Sequence, residues 1–290
     1  MFAYAAFRAY IFGMKILPPL LSSGIRKINT GILGNLLGYR KKIILQNLRL
    51  SFPKWTEIEV NNTLKAFYTQ LSRLIEETPK TFHISEEKLE EFLDWNIDPQ
   101  LFLDFEKGRD VILVGGHFGN WEWVIHTAYK VPFDCIAVYK PMRNKRIDKY
   151  IKGARSASGM RLIPMKEMVA ETRKKPDKPR LFMLIADQIP LRMETAHWLD
   201  FLNRDTAFFP GPAKIAANNN SKVYYFQFLP KDKKRYTVSI ELIVNDPGKL
   251  TERDITLAYA NRLEKDILEY PHLWLWSHKR WKRKRPPNLK

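Results

Sequence analysis

The chain is expected to fold as an α/β domain: a central, mostly parallel sheet flanked by helices on both faces, with an N-terminal membrane-associated helical segment. Three observations predict this. From residue 110 onward, short apolar runs alternate with helical stretches, the pattern of buried strands and the helices that cover them. With 290 residues, 45% of them apolar and 13% aromatic, the chain can bury a large core, which excludes a disordered polypeptide. The first 21 residues are apolar and basic, unlike the rest.

The elements follow in order. In residues 1–21, Arg8, Lys15 and the Pro18-Pro19 pair argue against a simple spanning helix of about 20 apolar residues. No clean signal-peptide core and cleavage site appear either. An interfacial anchor fits this segment, with a core helix and turn as the alternative. The segment is assigned residues 1–38 and the main domain residues 39–290. Thr56-Glu-Ile-Glu59 is a capping box that opens a helix. Val60, Leu64, Phe67, Leu71, Leu74 and Ile75 carry its apolar stripe to about Glu77, and Pro79 is expected to end it. A further helix is expected from Ser85. Strands are predicted over 110–116, 133–139, 181–187, 222–228 and 236–244, the last with the alternation of a half-exposed antiparallel strand. Helices are predicted over 121–129, 146–158, 166–173, 212–219 and 252–269.

Charge is distributed unevenly. The net charge is +18, yet residues 57–278 are nearly neutral. Residues 1–56 hold nine basic residues and no acid, and residues 279–290 hold seven and no acid. This is a globular body with two basic edges, not a uniformly basic nucleic-acid binder. The tail Lys279-Arg-Trp-Lys-Arg-Lys-Arg285 suits anionic lipid headgroups, an acidic carrier protein or nucleic acid. The first is favoured because the other basic end is apolar, and Trp274, Trp276 and Trp281 suit a membrane interface. The single cysteine, Cys135, excludes a disulfide framework and reads as a buried core residue.

The chemistry concentrates in Val111-Ile-Leu-Val-Gly-Gly-His117-Phe-Gly-Asn120-Trp-Glu122. A buried strand that stops at glycines and delivers an imidazole places a base at a sheet edge. In an open α/β sheet the site lies beyond the carboxyl ends of the strands, where His117, Tyr139 and Asp187 all fall. On a regular helix, residues five apart point about 140° from each other. Glu122 can therefore reach His117 only if the histidine lies in the turn and the helix starts near Asn120. The helix start can then offer backbone donors to an oxyanion. The competing reading is a structural turn histidine beside an ordinary N-terminal glutamate.

Four blocks in order carry a resemblance. They are Tyr39-Arg40…Asn47-Leu…Ser51-Phe52-Pro53, the His117–Glu122 segment, Ala186-Asp187-Gln188…Phe208-Phe209-Pro-Gly211, and Pro271…Trp274-Leu-Trp276-Ser-His278-Lys-Arg280-Trp281-Lys. They resemble the late (lauroyl/myristoyl) acyltransferases of lipid A biosynthesis, within the glycerolipid acyltransferase superfamily and its His-x4-Asp/Glu motif. The resemblance covers nearly the whole chain. It implies an O-acyltransferase in which His117 and Glu122 are catalytic, with Glu122 orienting the imidazole. Asn120, Arg155, Asp187, Gln188, Phe209 and Gly211 are the candidate substrate-binding residues, with an exposed helix cation at Arg155, a cap or turn acid at Asp187 and plain packing at Phe209 as the alternatives. Lys140 stands where many relatives have arginine, which would weaken a bidentate contact. The resemblance implies no metal and no cofactor. The donor is a co-substrate, acyl carrier protein or coenzyme A thioester. The expected partners are membrane lipids, a lipid acceptor and acyl carrier protein, with no nucleic acid. The expected location is the cytoplasmic face of a bacterial inner membrane.

Three alternatives stay open: acylation of another lysolipid or aminolipid, a hydrolase using His117 and Glu122 on a thioester, and a non-catalytic basic membrane- or nucleic-acid-binding protein. His126, His197, His272 and His278 lack partners at metal-ligand spacing and read as structural.

Overall fold

The computed structural model describes residues 2–16 and 19–287; Pro18 and Lys290 lie outside the described residues. Helix α1 spans Phe2–Ile16 and α2 spans Pro19–Gly31; a π-helical turn (Ile32–Leu36) leads to α3 (Lys41–Ser51). Both α1 and α2 pack on α4 (Glu57–Thr81). No described helix is long and apolar enough to cross a membrane.

The N-terminus of α4 carries the full capping box. The Thr56 amide donates to Glu59 Oε2 at 2.7 Å, and the Glu59 amide donates to Thr56 Oγ1 at 3.3 Å. Pro79 does not end the helix, which continues to Thr81. Proline removes the donor that would satisfy the carbonyl four residues earlier. That carbonyl, of Ile75, instead accepts from the Tyr10 hydroxyl of α1.

The segment from Ser85 differs from the expected helix. A 3-10 turn (Glu86–Glu91) gives way to strand β1 (Leu93–Ile97), followed by α5 (Gln100–Glu106). Asp94 and Asn96 are poor strand residues, and pairing to a partner far along the chain overrides that preference. The expected alternation then appears: β2 (Val111–Gly115), a 3-10 helix (Trp121–His126) running into α6 (Thr127–Lys130), β3 (Asp134–Tyr139) and α7 (Lys145–Ser156). Next come β4 (Arg161–Pro164), α8 (Met168–Thr172) and β5 (Arg180–Ile185). A hairpin, β6 (His197–Phe201) and β7 (Arg204–Phe208), precedes α9 (Gly211–Asn219), β8 (Val223–Pro230), β9 (Tyr236–Val244) and α10 (Glu252–Glu269). β4 and the hairpin fall where no strand is predicted.

Among the described residues, seven strands form one sheet in the order β1-β9-β8-β2-β5-β3-β4. Only the β8–β9 pair is antiparallel. The sheet is buried on both faces. Ile112 and Val114 of β2 join a cluster with Leu48 of α3, Phe67 of α4, Ala213 of α9 and Leu263 of α10. Val111 and Leu113 face the other way, toward Leu101 of α5, Trp123 and Phe133. These four β2 side chains are fully buried, and each contributes about 1.5–3 kcal/mol of transfer free energy. That explains the uninterrupted apolar run. The pairing of β2 with β5 matches Gly115 to Ile185. It therefore sets residues 117 and 187 side by side, each two positions beyond a strand end.

Candidate active site

The loop after β2 is shaped by close backbone approach. Gly119 has φ +62°, and a Cβ there would lie 1.9 Å from the Phe228 carbonyl oxygen. Only glycine fits. The Gly119 amide donates to the Leu273 carbonyl at 3.0 Å, and the Leu275 amide donates to the His117 carbonyl at 3.1 Å. The C-terminal Trp274–Trp276 segment thus lies along the histidine loop. The early block closes on the same segment: Asn47 Nδ2 donates to the Trp276 carbonyl at 2.9 Å, and Arg40 donates to the Ser277 carbonyl at 2.8 Å.

His117 is held by Asp187. Its backbone amide donates to Asp187 Oδ2 at 2.8 Å, and Nδ1 lies 2.6 Å from Oδ1. The Trp274 indole donates to Oδ2 at 2.8 Å. Burial alone pushes the Asp187 carboxyl up, but the His117 charge and these hydrogen bonds outweigh it and hold it down to about 2. An ionised carboxylate only accepts, so Nδ1 carries a proton, and in the neutral imidazole Nε2 presents the lone pair. The Gln188 side-chain amide lies 3.2 Å from Nε2 and can donate to it. The ring is part-exposed, and Trp121 meets it edge-on at 4.9 Å.

Glu122, expected to orient the imidazole, is paired with Arg155 in this structure. The helix does begin at Asn120, so Glu122 lies in its first turn. Its carboxylate is nevertheless taken by Arg155 of α7, with Nη2 2.7 Å from Oε1 and 2.8 Å from Oε2. A guanidinium fork matches both carboxylate oxygens, which a ring nitrogen cannot. Among the described residues no hydrogen bond joins Glu122 to His117. Arg155 and Glu122 thus form one charge pair beside the loop.

Asn120, expected to touch substrate, is fully buried. Its Nδ2 donates to Glu77 at 2.8 Å and its Oδ1 accepts from the Glu122 amide at 3.3 Å. The Trp123 amide donates to the Asn120 carbonyl at 3.2 Å. Two of the backbone donors at this helix start, the Glu122 and Trp123 amides, are therefore engaged within the chain. Gln188 meets the imidazole, while Asp187 sits beneath it rather than facing an open site. Phe209 and Gly211 stand where β7 passes into α9, both half-buried, and a Cβ on Gly211 would meet nothing within 4 Å. Lys140 is exposed just after β3.

Several tryptophans are not interfacial. Trp274 and Trp276 are buried, and Trp281 donates to Thr206 Oγ1 at 2.7 Å. Arg280 of the basic tail is also buried, its guanidinium 4.9 Å from the Phe208 ring centre, and burial pulls its pKa down to about 10. Arg285 pairs with Asp205. Cys135 is buried in the core, and burial pushes its thiol up to about 12.

Sequence reasoning missed Trp274 as a partner of Asp187, and Gln70 and Glu77 of α4, which reach the loop from below. Both polar positions lie within the stretch of α4 read mainly for its apolar stripe. Gln70 and Glu77 are seven residues apart, two helical turns, and that spacing is the signal that could have found them.

A histidine held by a buried carboxylate at the carboxyl edge of a parallel sheet is an arrangement that can activate a hydroxyl for group transfer. The chain matches the family model described as bacterial lipid A biosynthesis acyltransferase over residues 1–283, and it belongs to that family. No curated protein matches the chain. Membership makes it, in general terms, an acyltransferase with a lipid acceptor and an acyl donor.

Proposed function

We propose that this chain moves a fatty acyl group from a carrier-protein or coenzyme A thioester to a hydroxyl of a lipid A precursor at the cytoplasmic face of the inner membrane. The observation that carries the reading is the Asp187–His117 pair, which leaves Nε2 as the base. Nε2 takes the acceptor hydroxyl proton, displacing Gln188. The alkoxide oxygen bonds to the thioester carbonyl carbon, and the negative charge moves to the carbonyl oxygen. The C–S bond then breaks as the carbonyl re-forms, and the thiolate takes the proton from the imidazolium. Asp187 fixes the tautomer and offsets the imidazolium charge. No acyl-enzyme forms. Arg155, aligned by Glu122 beside the histidine loop, supplies a cation to meet developing negative charge or an acceptor phosphate.

Two surfaces support the membrane and donor assignments. Phe12, Ile28, Leu36 and Leu37 are all more than 60% exposed in a segment without acidic residues, as an interfacial anchor requires. Lys140, Arg143, Lys145, Arg146, Lys149 and Lys152 are exposed around α7, the helix that bears Arg155, and suit an acidic donor carrier. Mass spectrometry of total lipid from a strain lacking the chain tests the reading. A lipid A species lighter by one acyl group is expected, and unchanged lipid A with a different altered lipid would reassign the acceptor.

A further inference from the structure

We propose that Glu77 is a positioning residue for acyl transfer, holding the His117 loop in register through Asn120. The inference rests on His117 being the base. Glu77 lies on α4, outside every block that carries the family resemblance, and its side chain is buried. Three donors converge on it. Arg73 Nε donates to Oε1 at 2.6 Å, Asn120 Nδ2 donates to Oε2 at 2.8 Å, and the Tyr236 hydroxyl donates to Oε2 at 2.5 Å. Arg73 also stacks 4.4 Å from the Tyr236 ring centre, and Arg26 of α2 comes within 3.8 Å of Oε1.

A buried ion cluster of this kind is weak evidence for stability, because well-packed apolar residues often serve as well. What it does supply is direction. The Asn120 amide is used at both ends, tying Glu77 to the first turn that bears Glu122. One further α4 side chain grips the preceding residue: Gln70 Nε2 donates to the Gly119 carbonyl at 3.1 Å. Helix α4 therefore holds the second and third residues after His117 from below, while Asp187 holds the histidine itself. A reacting group displaced by about 1 Å can lose on the order of a hundredfold in rate. Glutamine cannot replace Glu77. Three donors converge on two acceptor oxygens, and an amide would turn an N–H toward one of them.

The test uses the full chain. Glu77→Gln, Asn120→Ala, their double variant and Tyr236→Phe are compared by steady-state kinetics, thermal melting and amide exchange of the peptide spanning 116–123. The expected result is a kcat lowered about ten- to a hundredfold in Glu77→Gln, with KM for both substrates within about twofold and faster exchange confined to 116–123. Asn120→Ala should match it, and the double variant should be no worse than either single. Tyr236→Phe removes a hydroxyl that meets both Glu77 and Asn120 but leaves the Asn120–Glu77 bond; it should lose stability with a much smaller fall in kcat than Glu77→Gln. Wild-type kcat and exchange in Glu77→Gln would overturn the proposal, as would additive losses or an equal kcat loss in Tyr236→Phe. If Glu77→Gln does not fold, a wild-type kcat in Asn120→Ala overturns it alone. Amide exchange is read without turnover, so a wild-type chain that transfers no acyl group would refute the function proposed above, while loop exchange still reports on Glu77.

Discussion

Asp187 grips His117 at two points, the ring Nδ1 at 2.6 Å and the backbone amide at 2.8 Å. One carboxylate thus sets both the tautomer of the imidazole and the path of the chain that delivers it. Asp187→Asn keeps the shape but loses the acceptor pair, and it is expected to lower kcat by roughly 10³–10⁴. Steady-state kinetics beside an unchanged far-UV spectrum checks this.

The Glu122–Arg155 pair should behave as one unit. Glu122→Ala and Arg155→Ala are each expected to lower kcat/KM by about 10–100-fold, with the double variant no worse than either single. Losses that multiply in the double variant would show independent roles. Arg155→Lys should recover little, because an ammonium cannot span both oxygens.

Trp274→Phe removes the indole donor from a buried carboxylate. An expected stability loss of about 1–3 kcal/mol follows, read as a lower urea midpoint. The Asp187 carboxyl should rise from about 2, measurable by carbon NMR of the carboxyl.

Gly119→Ala adds a Cβ 1.9 Å from a carbonyl oxygen at φ +62°. Overpacking and the left-handed backbone together should cost about 2–5 kcal/mol. Thermal melting or the loss of soluble protein reports it.

His126 sets an acid limit on stability. Burial pulls its pKa down to about 4, only partly offset by its bond to the Thr81 carbonyl at 3.0 Å. The unfolded chain takes up this proton below about pH 6.5, and the folded chain refuses it until about pH 4. The unfolded state therefore binds more protons between these values, and stability falls as pH drops through that window. The loss approaches roughly 3 kcal/mol. Urea titrations at pH 7 and pH 4.5 should show a smaller difference in His126→Gln. Asp187 acts in the same direction at lower pH: its depressed pKa adds stability that is complete above about pH 3.8 and is lost as pH falls from there toward 2.

Much of the fold was readable because its signals are local. The run Val111–Val114 is apolar because both its faces are covered, and the Thr56–Glu59 box lies within four residues. β1 was hidden because its pairing with β9 joins residues more than 130 apart, and Pro79 misled because the Tyr10 hydroxyl compensates the missing donor. At the site, position announced His117 and Asp187 separately. Their pairing depends on the Gly115–Ile185 register, which no local pattern records. Glu122 drew attention by its spacing, but its partner Arg155 lies on a helix whose docking is tertiary.

The central claim is that His117, steadied by Asp187, deprotonates the acceptor hydroxyl. Purified chain incubated with acyl carrier protein thioester and the lipid A disaccharide precursor tests it, with product mass followed against time. Wild type should add one acyl chain per acceptor and release one free thiol. His117→Ala should slow this by at least about 10² while melting at the wild-type temperature. Near-normal turnover in His117→Ala would contradict the account.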